Sequence, residues 1–276
     1  MKNCKVIAIT NQKGGVGKTT TTANLGVALA DMGKRMLVID TDPQASLTMS
    51  LGFRDTDNLN CTLTSVFRTI VEDYEMNPKF EVLKNEEGID VMPADIELCG
   101  IEIMLVNEMS REKVLKTYVD SVRDKYDYIL IDCMPSLGML TFNALCAADS
   151  VIIPSQPEFL SAKGLDQLVK TIGRIKRRLN PDLKIDGILL TMVDYRTTFA
   201  RDVSEMMRQQ YDKYTKVFNT AIPRSIRAAE TSAEGVSIFK HDPKGKIADA
   251  YRLFAKEVDS IAKEQIRRKN RAESVR

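Results

Sequence analysis

The chain has 276 residues, 43% of them hydrophobic and 28% charged, and its 40 Lys and Arg against 38 Asp and Glu leave a net charge of +2. That balance suits one large α/β domain of residues 1–276 and excludes a collagen, a coiled-coil rod and a disordered tail. No run of about 18 apolar residues is present to span a bilayer, and the first residues lead into a strand-like segment rather than a secretion signal, so a cytoplasmic protein is expected. Cys4, Cys61, Cys99, Cys133 and Cys146 form no CxxC pair, which fits reduced thiols and argues against zinc.

The first predicted element is a short buried strand over residues 6–9, all apolar. Asn11, Gln12, Lys13, Gly14, Gly15, Val16, Gly17, Lys18, Thr19 and Thr20 follow it and open a helix predicted over residues 18–32. Strand, glycine-rich turn and helix start are the setting of a phosphate-binding loop. Glycines let successive amides curl toward one anion, and the helix N-terminus adds partial positive charge. Lys18 then meets the β- and γ-phosphates of a nucleotide, and the Thr19 hydroxyl is placed to ligate Mg²⁺. Where the ordinary Walker pattern has glycine this loop has Gln12, followed by a second lysine, Lys13. Phosphates already served by Lys18 have little use for it, so Lys13 is free to project toward a second subunit.

A strand over residues 36–39 is followed by Asp40 and Asp42, two acids that are expected to do different jobs. Both leave the carboxyl end of the sheet beside the phosphate loop. Residues 53–126 read as a polar, helical insertion on the same domain. The strand over residues 128–131 ends in Asp132, the Walker B form of an apolar strand closed by a carboxylate, which is expected to hold Mg²⁺ through water. Further strands are predicted over residues 150–153 and 188–190. The helix predicted over residues 160–179 sets Leu165, Leu168, Ile172 and Ile175 on one stripe and Lys163, Lys170, Arg174 and Arg177 on the other. A last helix over residues 245–268 presents Ile247, Tyr251, Phe254, Val258 and Ile261 on one face. The tail, residues 267–276, holds five basic residues against Glu273, either a frayed, solvated end or a hook for a polyanion. Continuous apolar strands separated by helices predict a doubly wound α/β fold, a mostly parallel sheet flanked by helices of the P-loop NTPase type.

Four blocks, KGGVGKTTTTANLGVALA, VIDTDPQASLT, YDYILIDCMPSLGMLTFNAL and IPRSIRAAETSAEGVSIF, together resemble the ParA/Soj family of chromosome and plasmid partition ATPases, from about Lys5 to Val258. The first three mark deviant Walker A ATPases in general; the fourth, with the Asp194, Tyr195, Arg196 and Thr197 run, marks the partition branch. The resemblance implies that Lys13 reaches across a nucleotide-sandwich homodimer to the partner's phosphates, in the manner of an arginine finger. It implies that Asp42 orients the attacking water, that Asp40 serves the loop and metal neighbourhood, and that adenine lies near Met192 and Pro223. It further implies ATP hydrolysis, weak alone and stimulated by a ParB/Spo0J-like activator. The ATP dimer is expected to bind double-stranded DNA non-specifically through Arg196, Arg224 and Arg227, on the nucleoid. Arg174, Arg177 and the tail are added to that surface from spacing alone.

No helix-turn-helix segment precedes the first strand, so the short branch of the family fits and sequence-specific repression is not expected. A membrane-positioning ATPase of the MinD type would require a terminal amphipathic helix with a bulky apolar face, which the Arg267-Arg268-Lys269-Asn270-Arg271 ending lacks. An iron–sulfur reductase of the nitrogenase iron-protein type would use Cys99 and Cys133, but the glycine-rich cluster motifs are missing. His241, in a polar turn, reads as solvated.

Overall fold

The computed structural model describes residues 4–56, 58–72, 81–158, 161–194, 196–211 and 215–273, without the side chains of 161–163, 199 and 269–273. In chain order the elements are β1 (Lys5–Ile9), α1 (Lys18–Asp31), β2 (Met36–Asp40), α2 (Ser46–Ser50), α3 (Leu63–Val71), β3 (Leu83–Lys84), β4 (Ile89–Met92), α4 (Leu98–Met104) and α5 (Val114–Val122). They continue with β5 (Tyr128–Asp132), α6 (Met139–Ala147), β6 (Ser150–Ser155), α7 (Ser161–Arg178), β7 (Lys184–Val193), α8 (Thr198–Tyr211), β8 (Val217–Pro223), α9 (Arg227–Glu234), α10 (Ile238–His241) and α11 (Lys246–Glu273).

Eight strands form one sheet in the order β3-β4-β2-β5-β1-β6-β7-β8, parallel throughout except for the antiparallel β3–β4 pair. Parallel strands need both faces covered. One face carries Phe67, Leu98, Ile101, Tyr118, Leu165, Leu168 and Ile172. The other carries Leu25 and Leu29 from α1 together with Tyr251, Phe254 and Val258 from α11. The doubly wound fold read from the sequence is the fold observed, and the apolar stripes expected for α7 and α11 are the buried ones.

Residues 53–126 depart from the helical insertion expected for them. They hold α3, α4 and α5, but also β3 and β4, and β4 pairs along β2 from Met36↔Ile89 to Ile39↔Met92. The stretch is therefore built into the sheet. The last helix also outruns its expected end, continuing to Glu273, so the basic tail begins as helix rather than as a frayed coil. The end of that tail, 274–276, and Tyr195 lie outside the described residues, as does the side chain of Lys163.

The outer strand β8 is joined by side chains where its register with β7 shifts. Glu257 of α11 accepts from the N–H groups of Asn219 and Thr220 at 3.1 and 3.2 Å, and Arg208 of α8 donates to the carbonyls of Val217 and Phe218 at 3.3 and 2.9 Å. On the opposite side of α2, Gly52 and Gly235 cross backbone to backbone. Both have left-handed φ, +94° and +74°, and the Gly52 Cα lies 2.8 Å from where a side chain on Gly235 would start.

Candidate phosphate and cation site

The loop after β1 turns at Gly15 and Gly17, whose φ values of 69° and 82° suit glycine. Its carbonyls are held from outside by the ends of β6 and β7. Gln156 Nε2 donates to Gly15 O at 3.0 Å, and Thr191 Oγ1 donates to Val16 O at 2.8 Å. Asn11 braces the base of the turn, donating to Pro154 O at 2.7 Å and accepting from Lys13 N at 3.0 Å. A glycine turn that runs into the start of a helix, as this one runs into α1, is the backbone form in which amides can meet an anion.

The two lysines of the loop are placed differently. Lys18 is buried and its ammonium donates to Lys13 O at 3.1 Å, so it lies within the loop it belongs to. Burial lowers its pKa, against the opposing pull of Asp132. The Lys13 ammonium stands outside, 43% exposed and paired with Glu158.

Parallel pairing of β2 with β5 sets Asp40 opposite Asp132 at the carboxyl ends of both strands. Asp132 Oδ2 accepts from Thr19 Oγ1 at 2.7 Å and Oδ1 from Thr22 Oγ1 at 3.1 Å. Burial first, and the neighbouring Asp40 charge second, push the Asp132 carboxyl above its ordinary range. Asp132 and the Thr19 hydroxyl offer oxygen atoms, the ligand type a hard divalent cation prefers, with the buried Asp40 charge beside them.

Asp40 faces inward and is fully engaged by the protein. It accepts from Asp42 N at 3.1 Å, Thr48 N at 2.9 Å and Thr48 Oγ1 at 2.8 Å. Through these bonds it shapes the Asp42 loop and anchors α2. Asp42 is half-buried, and its Oδ1 accepts from Gln44 N at 3.0 Å. Residues two apart in an extended chain share a side, so strand alternation does not separate these acids; β2 ends at Asp40, and Asp42 lies in the turn beyond it with contacts of its own.

Met192 and Pro223 end neighbouring strands β7 and β8, where Val193 pairs with Pro223. Met192 has a left-handed φ of 53°, a cost that non-glycine residues carry mainly at functional sites. Its Sδ accepts from Gln156 at 2.8 Å, and its methyl sits 3.8 Å from where a side chain on Gly17 would start. It therefore overhangs the phosphate loop.

The three arginines expected to meet a polyanion differ in their engagement. Arg196, 87% exposed, makes two bonds to Asp194 at 2.8 and 2.7 Å, and they hold the Asp194 carboxyl down at about 2. Arg227 pairs with Asp242 at 2.8 Å, and Arg224 is exposed at the end of β8. On α7, Lys170, Arg174 and Arg177 are exposed as expected. His241 is not merely solvated: its ring bridges Glu234 at 2.8 Å and Glu230 at 3.3 Å, and these carboxylates raise its pKa. Cys133 is buried, and burial pushes its thiol up to about 12, so it is neither nucleophile nor exposed cluster ligand. Among the described residues no three His, Cys, Asp or Glu side chains gather as a metal site, and no helix is long and apolar enough to cross a membrane.

Gln156, Thr191, Thr22 and Thr48 belong to the site and were given no role from the sequence. They stand far from the glycine loop in the chain or inside helices. The available signal was position: Gln156 and Thr191 come at the carboxyl ends of predicted strands, the rim where such sheets bind ligands.

The model for the family described as AAA domain matches residues 4–185. The chain is 46% identical over 256 residues to the sporulation initiation inhibitor protein Soj of Bacillus subtilis, covering 92% of this chain and 98% of that one. It is 43% identical to the chromosome partitioning protein ParA of Myxococcus xanthus, over 92% of this chain and 87% of the relative. A crystal structure from Mycobacterium smegmatis, described as cobyrinic acid a,c-diamide synthase with bound ATP analog and magnesium, superposes with a TM-score of 0.80 at 40% identity, over 92% of this chain and 93% of that one. Phosphate loop, paired acids, sheet order and these likenesses agree that the chain belongs to the Soj and ParA family of P-loop ATPases.

Proposed function

We propose that this protein is an ATP-driven dimerising switch that holds duplex DNA without regard to sequence and partitions a chromosome or plasmid together with a ParB-like activator. The observation that carries the reading is the division of labour in one loop, with Lys18 tucked beneath it and Lys13 standing outside. Lys18 takes the β- and γ-phosphates of its own ATP, while Lys13 leaves Glu158 for the phosphates of the facing copy. A cation lent in trans contributes on the order of 10³ to 10⁵ in rate where GTPases use one. Thr19 and Asp132 hold Mg²⁺, which when bound neutralises charge on the phosphate oxygens. Asp42 orients the attacking water, and Asp40 keeps that loop in shape. Adenine lies against Met192 and Pro223. The ATP analog and magnesium named for the Mycobacterium smegmatis structure support this choice of cofactors.

Arg196 and Arg224 both act on Asp194, Arg227 follows three residues after Arg224, and pairing two copies doubles the positive surface they offer to phosphates. Such a protein works in the cytoplasm, on the nucleoid. The test is Lys13→Ala followed by sedimentation with ATP and Mg²⁺. ATP binding is expected to persist while the ATP-dependent dimer disappears; an unchanged dimer overturns the trans role of Lys13.

A further inference from the structure

Two side chains from neighbouring strand ends hold successive carbonyls of the phosphate loop. Gln156, just beyond β6, donates to Gly15 O at 3.0 Å, and Thr191 of β7 donates to Val16 O at 2.8 Å. Each carbonyl shares a planar peptide group with the N–H of the next residue, Val16 in one case and Gly17 in the other. No peptide bond among the described residues is cis, so in each group the N–H points opposite to the carbonyl. Binding the two carbonyls therefore turns the Val16 and Gly17 N–H groups away from Gln156 and Thr191. Among the described residues neither N–H meets a protein acceptor, which leaves both as donors for a ligand.

The end of β7 is bent in a way that makes this hold possible. Consecutive side chains of a strand point to opposite faces. Thr191 and Met192 nevertheless both reach the loop, one through its hydroxyl and the other with its methyl 3.8 Å from where a side chain on Gly17 would start. The left-handed φ of 53° at Met192 breaks the alternation, and the register with β8 shifts across the same stretch. The Gln156 amide nitrogen donates to Met192 Sδ at 2.8 Å as well as to Gly15 O, so one side chain joins Met192 to the loop.

We propose that Gln156 and Thr191 are positioning residues for the nucleotide. They hold two peptide planes of the loop so that the Val16 and Gly17 N–H groups face the phosphates, and Gln156 sets Met192 in register with them. The inference rests on the ATP reading above and adds to it the two side chains that aim the loop. Donors oriented before the ligand arrives spare it an ordering cost on binding.

The test is an equilibrium titration with a fluorescent ADP derivative and Mg²⁺, displaced by ATP. Thr191→Val keeps the branched shape without the donor and is expected to weaken ATP binding about tenfold, the scale of one well-placed hydrogen bond. Thr191→Ser restores the donor and is expected to recover the affinity to within about twofold. Gln156→Leu is expected to lose about tenfold as well. Circular dichroism checks the fold of each variant. Thr191 is buried and Gln156 only half-buried, so Gln156→Leu decides the matter should Thr191→Val not fold. Unchanged ATP affinity in Thr191→Val or in Gln156→Leu overturns the assignment. A Thr191→Ser variant as weak as Thr191→Val also overturns it, because packing and not the hydroxyl is then responsible. A parent that binds ATP no better than these variants sinks the clasp alone, whereas a parent that binds no nucleotide sinks the ATP reading and the clasp with it.

Discussion

Asp42 meets one local N–H and keeps the rest of its carboxylate available, whereas Asp40 gives its oxygens to three donors of the loop it shapes. Their substitutions should therefore separate. Asp42→Ala is expected to keep the ATP-dependent dimer and cut stimulated turnover by at least about a hundredfold, the usual worth of a positioned base; a phosphate-release assay with sedimentation checks both. Asp40→Ala should instead loosen α2. His241 is the single histidine of the chain, which makes its ring easy to follow by NMR. Glu234 and then Glu230 raise its pKa above the ordinary 6.5, so a titration midpoint above that value is expected. Because the folded pKa is the raised one, the stability contributed is fully present below the unfolded value and is lost as pH rises through the folded one. Glu234→Gln should bring the midpoint back down. Sequence identified Lys13, Lys18, Asp42 and Asp132 because each stands in a motif; it did not identify Gln156 or Thr191, because a clasp on Gly15 and Val16 leaves no local pattern.

At the scale of elements, the strands read in advance were those with unbroken apolar runs, β1, β2, β5, β6 and β7. Strand β8 was missed because Asn219 and Thr220 interrupt its apolar run; Glu257 receives their backbone N–H groups, a bond that any residue but proline could make there. Strand β4 was missed because Asp90 lies in its middle; that carboxylate accepts from Tyr126 at 2.7 Å and pairs with Lys84 at 2.6 Å. Tyr126, which makes Asp90 tolerable in the sheet, is distant in the chain, and single-sequence periodicity carries no trace of it. The Gly52–Gly235 crossing joins α2, which Asp40 anchors, to the C-terminal end of α9. A side chain on Gly235 meets both a left-handed φ and the Gly52 backbone, so Gly235→Ala should lower unfolding stability by about 1–3 kcal/mol in urea. The left-handed φ at Gly33 is free of such contact, and Gly33→Ala measures the conformational part alone.

For the whole molecule, near-neutral charge means that any hold on DNA depends on where the arginines sit rather than on how many there are. The affinity of the ATP state for plasmid DNA should fall steeply as salt rises, and Arg224→Glu should weaken it without altering ATP affinity, as read by anisotropy in a salt series. Arg196 and Arg227 already hold Asp194 and Asp242, so charge reversal there also breaks an ion pair, which makes Arg224 the cleaner probe. The overall fold was legible because composition, the alternation of strand and helix and the glycine loop all pointed one way. The ion pairs of Arg196 and Arg227 were not, since spacing in the chain does not show which acid an arginine meets.

The sheet is blunt at both margins. One ends in β3, two residues long and running against its neighbour, and at the other the groups of β8 around residues 217–220 are occupied by Arg208 and Glu257. A margin so filled offers poor hydrogen-bonding ground for a foreign strand, which keeps molecules crowded together from fusing into fibres. Reversible association is thereby steered to surfaces made of side chains and loops, and these come apart far more readily than a shared backbone ladder.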